Sequence, residues 1–447
     1  MDARRVVVIG AGAAGLSAAW RLRASGCEVA LLEATDRPGG RAVSAEALGV
    51  RFDPTGATLS SADRRALGLV AEAGASARVR ALGPGGTAQT HRGRLSRVDD
   101  SSRLGVARIP GVRWLDALRL MRLDRLLARY RPHLDPDAPE RGATLDDRSL
   151  RDFATLYFGR SVAERWIGPF ATDGTGNRPD DASRLLFLLR AESHRGATPV
   201  TLDGGIGTFL AELADELGVR LRARAREVTA RAAGGFEVGV ETDAGGEALV
   251  ADAVVLATPP AVALDLAGAE LVSAERDFLG AVTSVPALCL ALGFEARPWR
   301  TARRIRIPHA DGWPLVSLSL LPPEAVLGLP PEGSVAVAAA TGEWATRQAG
   351  VPDDVVAKDL MGVVARLVPG ARREPVFARV TRSNAAMPCF EAGHFRKLAR
   401  LRRVGDDRRE AGRRLYLAGD YLAGPWIEAA VGSGRRAAEA LLADLET

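Results

Sequence analysis

The sequence predicts an α/β protein whose nucleotide-binding domain is Rossmann-like and discontinuous, with an α+β domain inserted into it. Three observations predict this. The chain opens on a short apolar strand that runs directly into Gly10-x-Gly12-x-x-Gly15 and a helical stretch. A continuous apolar run, ADAVVLATPP, stands mid-chain, and a second strand–loop–helix turn, YLAGDYLAGPWIEAAVGSG, closes the sequence. α/β character therefore recurs at the start, middle and end of 447 residues, which length alone would divide into two or three domains. We expect residues 1–75, 200–284 and 400–447 to form the nucleotide-binding domain. Residues 76–199 and 285–399 form the inserted substrate domain, a mixed β-sheet with a helical part over about 113–195.

Each element follows from local pattern. Arg5 to Ile9 is an apolar strand, Gly10 to Gly15 a glycine loop, Leu16 to Ser25 a helix that Gly26 ends, and Glu28 to Leu32 a second strand. Residues 60–75 have helical spacing, whereas 76–110 are rich in Gly, Ser and Arg and read as loops or short strands. Residues 113–131 and the stretch DDRSLRDFATLYFGRSVAERWIGPF are amphipathic helices. A Gly-Gly turn in TLDGGIGTFLAELADELGV precedes a helix over about 208–217, then strands at 219–230, 236–242 and 248–257. The last of these is apolar throughout and closed by Pro259-Pro260, which suits a strand buried on both faces. Residues 285–345 are β-rich, 352–367 helical, 414–418 a strand, and about 426–445 the final helix.

Composition narrows the function classes. Hydrophobic content of 47% with 26% charged residues permits a large core. Three widely spaced cysteines without a CxxC pair, and five scattered histidines, argue against a disulfide frame or metal centre and for a reducing compartment. Met1 leads straight into a strand without a signal peptide, and the longest uncharged run, residues 278–294, is broken by Pro286. A cytoplasmic location is therefore expected. The net charge is +5, and nearly every base is Arg, with Lys358 and Lys397 the two lysines. Bases and acids interleave, a poor footprint for nucleic acid. Two segments differ: 113–131 carries six Arg against two Asp, and 396–414 nine bases against three acids. Each reads first as a solvated helix face, and otherwise as a contact with anionic lipid or with an acidic substrate.

The glycine loop carries the first chemistry. Gly10 allows the tight turn, Gly12 lets backbone approach a pyrophosphate, and Gly15 lets helix and strand pack, with the helix N-terminus facing the phosphates. Glu33, 18 residues after Gly15, ends the second strand where an acid accepts hydrogen bonds from a ribose and disfavours a 2′-phosphate.

Immediately after Glu33 comes ATDRPGGRAVS, and here the chain resembles the FAD-dependent amine oxidase superfamily, which includes flavin amine oxidases, phytoene-type desaturases and protoporphyrinogen oxidases. The matching residues of that family's diphosphate turn are Arg37, Gly39, Gly40 and Arg41: two glycines bring amides to the phosphates and Arg41 adds charge-assisted bonds. The resemblance continues in scattered blocks, RFDPTGAT, LDGGIGTFLAELADELGVRLRARAREVTA, ADAVVLATPP and the C-terminal turn. It implies a non-covalently bound FAD. Its contacts would be Gly10, Gly12, Ala13, Ala14 and Gly15 at the loop, Glu33 and Ala34 at the ribose, and Gly39, Gly40 and Arg41 at the diphosphate. Gly56, Ala57 and Thr58 would lie near the flavin, Val228 near the adenine, with Thr258 also in contact. Gly419 and Asp420 would meet the ribitol side, and the helix beginning at Trp426 and Ile427 would direct its positive end at the flavin ring.

The branch is less defined. NAAMPCFEAGHFRKL, with Pro388, Phe390, Gly393 and His394, resembles protoporphyrinogen oxidases, as does PFATDGTGNRPDDAS, whereas WIEAAV is closer to amine oxidases and desaturases. Amine oxidases usually carry a Lys in the segment similar to LGFEARPWR, where this chain has Glu295 or Arg297. The resemblance implies dehydrogenation of a small organic substrate by hydride transfer to flavin N5, with oxygen or another acceptor reoxidising the flavin. Oxidation of an amine is the alternative. Candidates beside the reacting atoms are Trp426, His394 and Phe390; Trp426 reads equally as packing and His394 as a structural histidine. Cys389 reads as a free thiol rather than a thioether to flavin. Two rivals remain. A prenyl-protein escort fold would lack the flavin signature, and a nicotinamide-dependent dehydrogenase leaves Arg37 to Arg41 and the C-terminal turn unexplained.

Overall fold

Val6, Val7 and Val8 are β-branched and apolar on both faces of a pleat, so they suit a strand covered from both sides. In the structure, a computed structural model described over residues 4–446 apart from 84, 100–101, 174–177, 301 and 411, these residues lie at the centre of a parallel sheet. Its order is Leu415–Leu417, Ala253–Leu256, Arg5–Ile9, Glu28–Leu32. Val6 pairs with Ala253 on one side and Val29 on the other, while Leu415 pairs with Val254. Start, middle and end of the chain thus meet in one sheet.

Some boundaries move, each for a visible reason. The expected strand 248–257 divides at Asp252. Gly245–Ala251 turns into an antiparallel sheet with Phe236–Thr242 and Arg224–Ala230, and Ala253–Leu256 enters the parallel sheet. The Asp252 carboxylate, which accepts the Arg5 N–H at 2.9 Å, fixes the corner. The expected strand 219–230 starts only at Arg224, because Arg220 is drawn to the parallel sheet as a lone bridge to Leu32. The helix expected from about 208 begins at Ile206, its first N–H groups taken by Asp53 from far along the chain.

The second large sheet has seven strands, in the order Phe377–Pro388, Ser284–Phe294, Ser334–Ala340, Leu315–Leu320, Arg304–Arg306, Thr87–His91, Arg94–Val98. It is antiparallel except where Arg304–Arg306 meets Thr87–His91. The segment read as loops or short strands thus supplies the last two strands, joined by Arg92 and Gly93 at φ 50° and 75°, the left-handed values of a tight hairpin. The helical part includes Trp114–Arg119, Met121–Tyr130, Leu150–Phe158 and Arg184–Ser193. Phe153, Phe158, Phe390 and Tyr421 join Val7 and Ile9 in one buried cluster, so the helical part and the parallel sheet share a core. Among the described residues no helix is long and apolar enough to cross a membrane.

The first helix (Ala13–Ala24) lies against the last (Ile427–Glu446). A side chain on Gly434 would sit 1.9 Å from the Ala14 carbonyl oxygen, and the Ser17 hydroxyl donates to the Val431 carbonyl at 2.9 Å. Two helices can approach this closely only where one offers bare backbone. Gly434→Ala should therefore lower unfolding free energy by about 1–3 kcal/mol in urea titrations. Gly362→Ala, inside the helix Asp353–Leu367 with nothing within 4 Å of the added methyl, should raise it by up to about 1 kcal/mol. Equal effects of the two substitutions would contradict this packing.

Candidate functional site

The glycine loop folds as its spacing requires. Gly10 takes φ 103°, and a side chain there would meet the Ala257 carbonyl oxygen at 2.6 Å. One on Gly15 would lie 1.8 Å from the Gly10 carbonyl oxygen, so helix and strand close on bare backbone. Gly12 is different: its φ of −78° suits any residue, yet no atom lies within 4 Å of where its side chain would project. The turn Arg37 to Arg41 lies over this loop. Gly39 pairs with Gly12, its N–H donating to the Ala11 carbonyl at 2.8 Å, and Gly40 stands directly above the Gly12 Cα. Glu33 ties the two together, accepting the Ala11 N–H at 3.0 Å on one oxygen and the Thr35 N–H and hydroxyl at 2.9 Å on the other.

The C-terminal turn joins them through one ion pair. Arg41 donates from both terminal nitrogens to Asp420, at 2.7 and 2.8 Å, and also to the Ala386 carbonyl. Asp420 is buried and accepts the Tyr421 N–H as well, while Gly419 donates its N–H to Ser433 at 3.0 Å. The residue expected at the diphosphate and the one expected on its ribitol side thus grip one another.

Do these residues fit such a group? Three observations say they do. Space is open at Gly12. The first helix begins without a side-chain cap and with no acid in its first turn, leaving its leading N–H groups, at Ala13 and Ala14, for an anion. The Thr258 hydroxyl, whose methyl lies beside Gly10, is buried with no hydrogen-bond partner, a state that costs free energy unless a ligand completes it.

The other expected contacts are spread around this centre. Gly56, at φ 65°, packs near Leu321 and Val337, with Ala57 half-buried and Thr58 and Ala34 exposed. Val228 is buried on the outer strand of its three-stranded sheet. Trp426 and Ile427 are half-buried at the start of the last helix. The Trp426 ring packs on Gly424, and the Arg190 guanidinium stands 4.9 Å from its centroid.

Two candidates are corrected. Phe390 is fully enclosed, stacked 5.6 Å from Phe395, and cannot face a substrate. His394 is buried between Phe278, Phe390 and Phe395, and its Nε2–H donates to the Tyr421 carbonyl at 2.9 Å. Burial pushes its pKa down to about 4, so it stays neutral and holds the backbone beside Asp420. Glu295 and Arg297 are exposed, and Gly174 to Asn177 of the second branch block lie outside the described residues. Cys389 is half-buried, its thiol pushed up chiefly by burial, and Cys289 is pushed up to about 12.

Sequence reasoning missed the carboxylates that brace the site. Asp53, buried, accepts from Ile206, Gly207 and Ser44. Glu428 accepts the N–H groups of Arg65 and Ala66 and so caps the helix Arg64–Glu72. Their only signal is an acid inside an apolar block, in RFDPTG and PWIEAAV.

Residues 13–442 match the family described as flavin containing amine oxidoreductase. A protein of Mycobacterium tuberculosis named as a flavin-containing monoamine oxidase is 29% identical over 274 residues, 57% of each chain. Hydroxyneurosporene desaturase of Cereibacter sphaeroides is 33% identical over 58% of this chain and 57% of its own. The matched stretches thus span little more than half the length of these relatives. The solved structure of cyclohexylamine oxidase from Brevibacterium oxydans superposes over 100% of both chains with a TM-score of 0.77 at 19% identity.

Two outcomes follow from the geometry. Arg41→Ala leaves the Asp420 carboxylate without its guanidinium, and should cost about 1–3 kcal/mol of stability along with retention of any bound dinucleotide, read by thermal unfolding and cofactor content. The second concerns pH. Burial, opposed by the bonds from Ile206, Ser44 and Gly207, lifts Asp53 from 3.8 to about 6, so its contribution is full below 3.8 and lost as pH rises through 6. His394, lowered from 6.5 to about 4, contributes above 6.5 and loses that as pH falls through 4. The two oppose each other over the same range. Relative to the parent, Asp53→Asn should lose about 2 kcal/mol more between pH 6.5 and 4, and parallel urea-unfolding profiles would contradict this.

Proposed function

The chain belongs to the flavin-containing amine oxidoreductase family, and from that premise we propose that it is an FAD-dependent oxidoreductase dehydrogenating a small organic substrate. The observation that carries this is the Arg41–Asp420 pair, which joins the N-terminal and C-terminal turns beside the open approach at Gly12. On this reading residues 1–75, 200–284 and 400–447 make the FAD-binding domain, and 76–199 with 285–399 the substrate domain.

Bound FAD supplies a two-electron acceptor for hydride, which oxygen or another acceptor then regenerates. The chain's own work is binding and positioning. The loop from Gly10 to Gly15 and the turn Gly39 to Arg41 would hold the diphosphate, Glu33 the ribose, and Thr258 would give its unpartnered hydroxyl to the cofactor. Gly419 and Asp420 would hold the ribitol side, and the N-terminal end of Ile427–Glu446 favours negative charge on the ring. Trp426, at that helix start, would form the wall of the substrate space, one face already against Arg190. With the reacting carbon held and water excluded, no strong base is required of the protein.

The substrate class we favour is one whose reacting C–H adjoins an unsaturated system, as in porphyrinogens and polyenes. Support comes from the lysines: Lys358 and Lys397 are both exposed, as are Glu295 and Arg297, so no lysine stands in the core to order a water for amine oxidation. A second reading, oxidation of an amine, is favoured by the surroundings of Trp426, where the Asp63 and Glu428 carboxylates act on Arg190 and would also suit a cation.

The purified protein should be yellow and release its flavin on acid or heat; colour retained in the precipitate would point instead to a thioether at Cys389. Anaerobic mixing should bleach the flavin with porphyrinogens or polyenes, and bleaching by amines alone would select the second reading. Trp426→Ala should keep its flavin and lose roughly tenfold or more in kcat/KM for whichever class reacts.

A further inference from the structure

Hydrophobic side chains normally leave the surface wherever an anchored helix can turn them inward. Between residues 104 and 121 five large apolar side chains stay outside. Leu104, Trp114, Leu118 and Met121 are 74, 67, 54 and 57% exposed, and Leu115 beside them is 49% exposed. Trp114, Leu118 and Met121 are spaced as one helical stripe across Trp114–Arg119 and the start of Met121–Tyr130.

The outward turn is held in place. Asp116, Ala117 and Leu120 form the inner, buried face of the same turns. Asp116 accepts the Ser161 hydroxyl at 2.7 Å and its N–H at 3.2 Å, and the Ser161 hydroxyl accepts the Arg113 N–H at 2.9 Å. A side chain on Gly159 would collide with the Asp116 carboxylate, so the fit there is tight. The apolar stripe is therefore presented by a braced element.

Within residues 104–129 the exposed charge has one sign. Arg108, Arg113, Arg119, Arg122, Arg125 and Arg129 are exposed, whereas the two acids of the stretch are withdrawn, Asp116 buried and Asp124 half-buried within 3.4 Å of Arg195. The other basic segment, 396–414, exposes bases but no large apolar side chain among its described residues.

From this we infer that the face built by residues 104–129 docks on an anionic lipid surface, the Trp114, Leu118 and Met121 stripe entering at headgroup depth and the arginines pairing with lipid phosphates. A second copy of the chain is the poorer occupant, because a two-fold contact would set this cationic rim against itself. The inference is independent of the flavin chemistry.

The test is flotation of the holoprotein with vesicles of phosphatidylcholine alone and with phosphatidylglycerol in equal parts. We expect binding to the anionic vesicles, weakened by salt, and little to the neutral ones. Trp114→Ser with Leu118→Ser, and separately Arg122→Glu with Arg125→Glu, should each weaken it roughly tenfold or more. Both variants change exposed side chains, and thermal unfolding and flavin content, expected at parental values, verify that the fold is intact. Failure of the parent to bind anionic vesicles, or parental binding by both variants, would overturn the inference. So would a lipid-free dimer in light scattering that the Trp114→Ser, Leu118→Ser variant splits.

Discussion

The structure depends on one close approach, that of the first helix to the last. The parallel sheet brings Arg5–Ile9 beside Ala253–Leu256 and the latter beside Leu415–Leu417, but strands alone do not place two loops against each other. The bare backbone of Gly434 does so, by letting the last helix rest on the Ala14 carbonyl, and the Ser17 hydroxyl fixes the register. With the helices locked, the loops that precede them face one another at the end of the sheet, and Arg41 reaches Asp420. A ligand bound between the two turns, as proposed, would be held by both ends of the chain, which would couple its binding to the closure of the whole fold.

Carboxylates, buried or half-buried, repeat this long-range tying. Asp53 takes the N–H groups that open the helix Ile206–Leu217, Asp146 those of Phe395 and Arg396, and Glu428 those of Arg65 and Ala66. In each case an acid from a distant segment occupies a helix N-terminus, where the unpaired N–H groups and the helix dipole both favour negative charge. The helix Ala13–Ala24 differs from these three: it has neither a side-chain cap nor an acid in its first turn, and it begins beside the open approach at Gly12.

How much of this was legible in the sequence follows the same division. Local features read well: the three glycines with Glu33, the Gly-Gly turn at 39 and 40, and the terminal strand–loop–helix have short-range causes in φ, spacing and apolar pattern. The α/β fold class and the flavin family were readable from these. Features that need the third dimension were not. Nothing near Asp53 announces that it caps a helix 153 residues on, and the corner at Asp252 depends on Arg5 from the other end of the chain. His394 and Phe390 failed as substrate-side candidates because a histidine beside aromatics reads alike in a core and in a pocket; burial decided it. The arginine-rich stretch 113–131 was ambiguous until the inner partner of Asp116 showed which way Trp114 points.

The central claim is that the two turns form a single FAD site whose open approach is Gly12. The most direct measurement is the FAD occupancy and affinity of Gly12→Val, compared with its unfolding as the apoprotein. Since Gly12 has an ordinary φ and no neighbour within 4 Å of its missing side chain, the account expects an apoprotein about as stable as the parent that no longer takes up FAD. A Gly12→Val protein that binds FAD with parental affinity would contradict it.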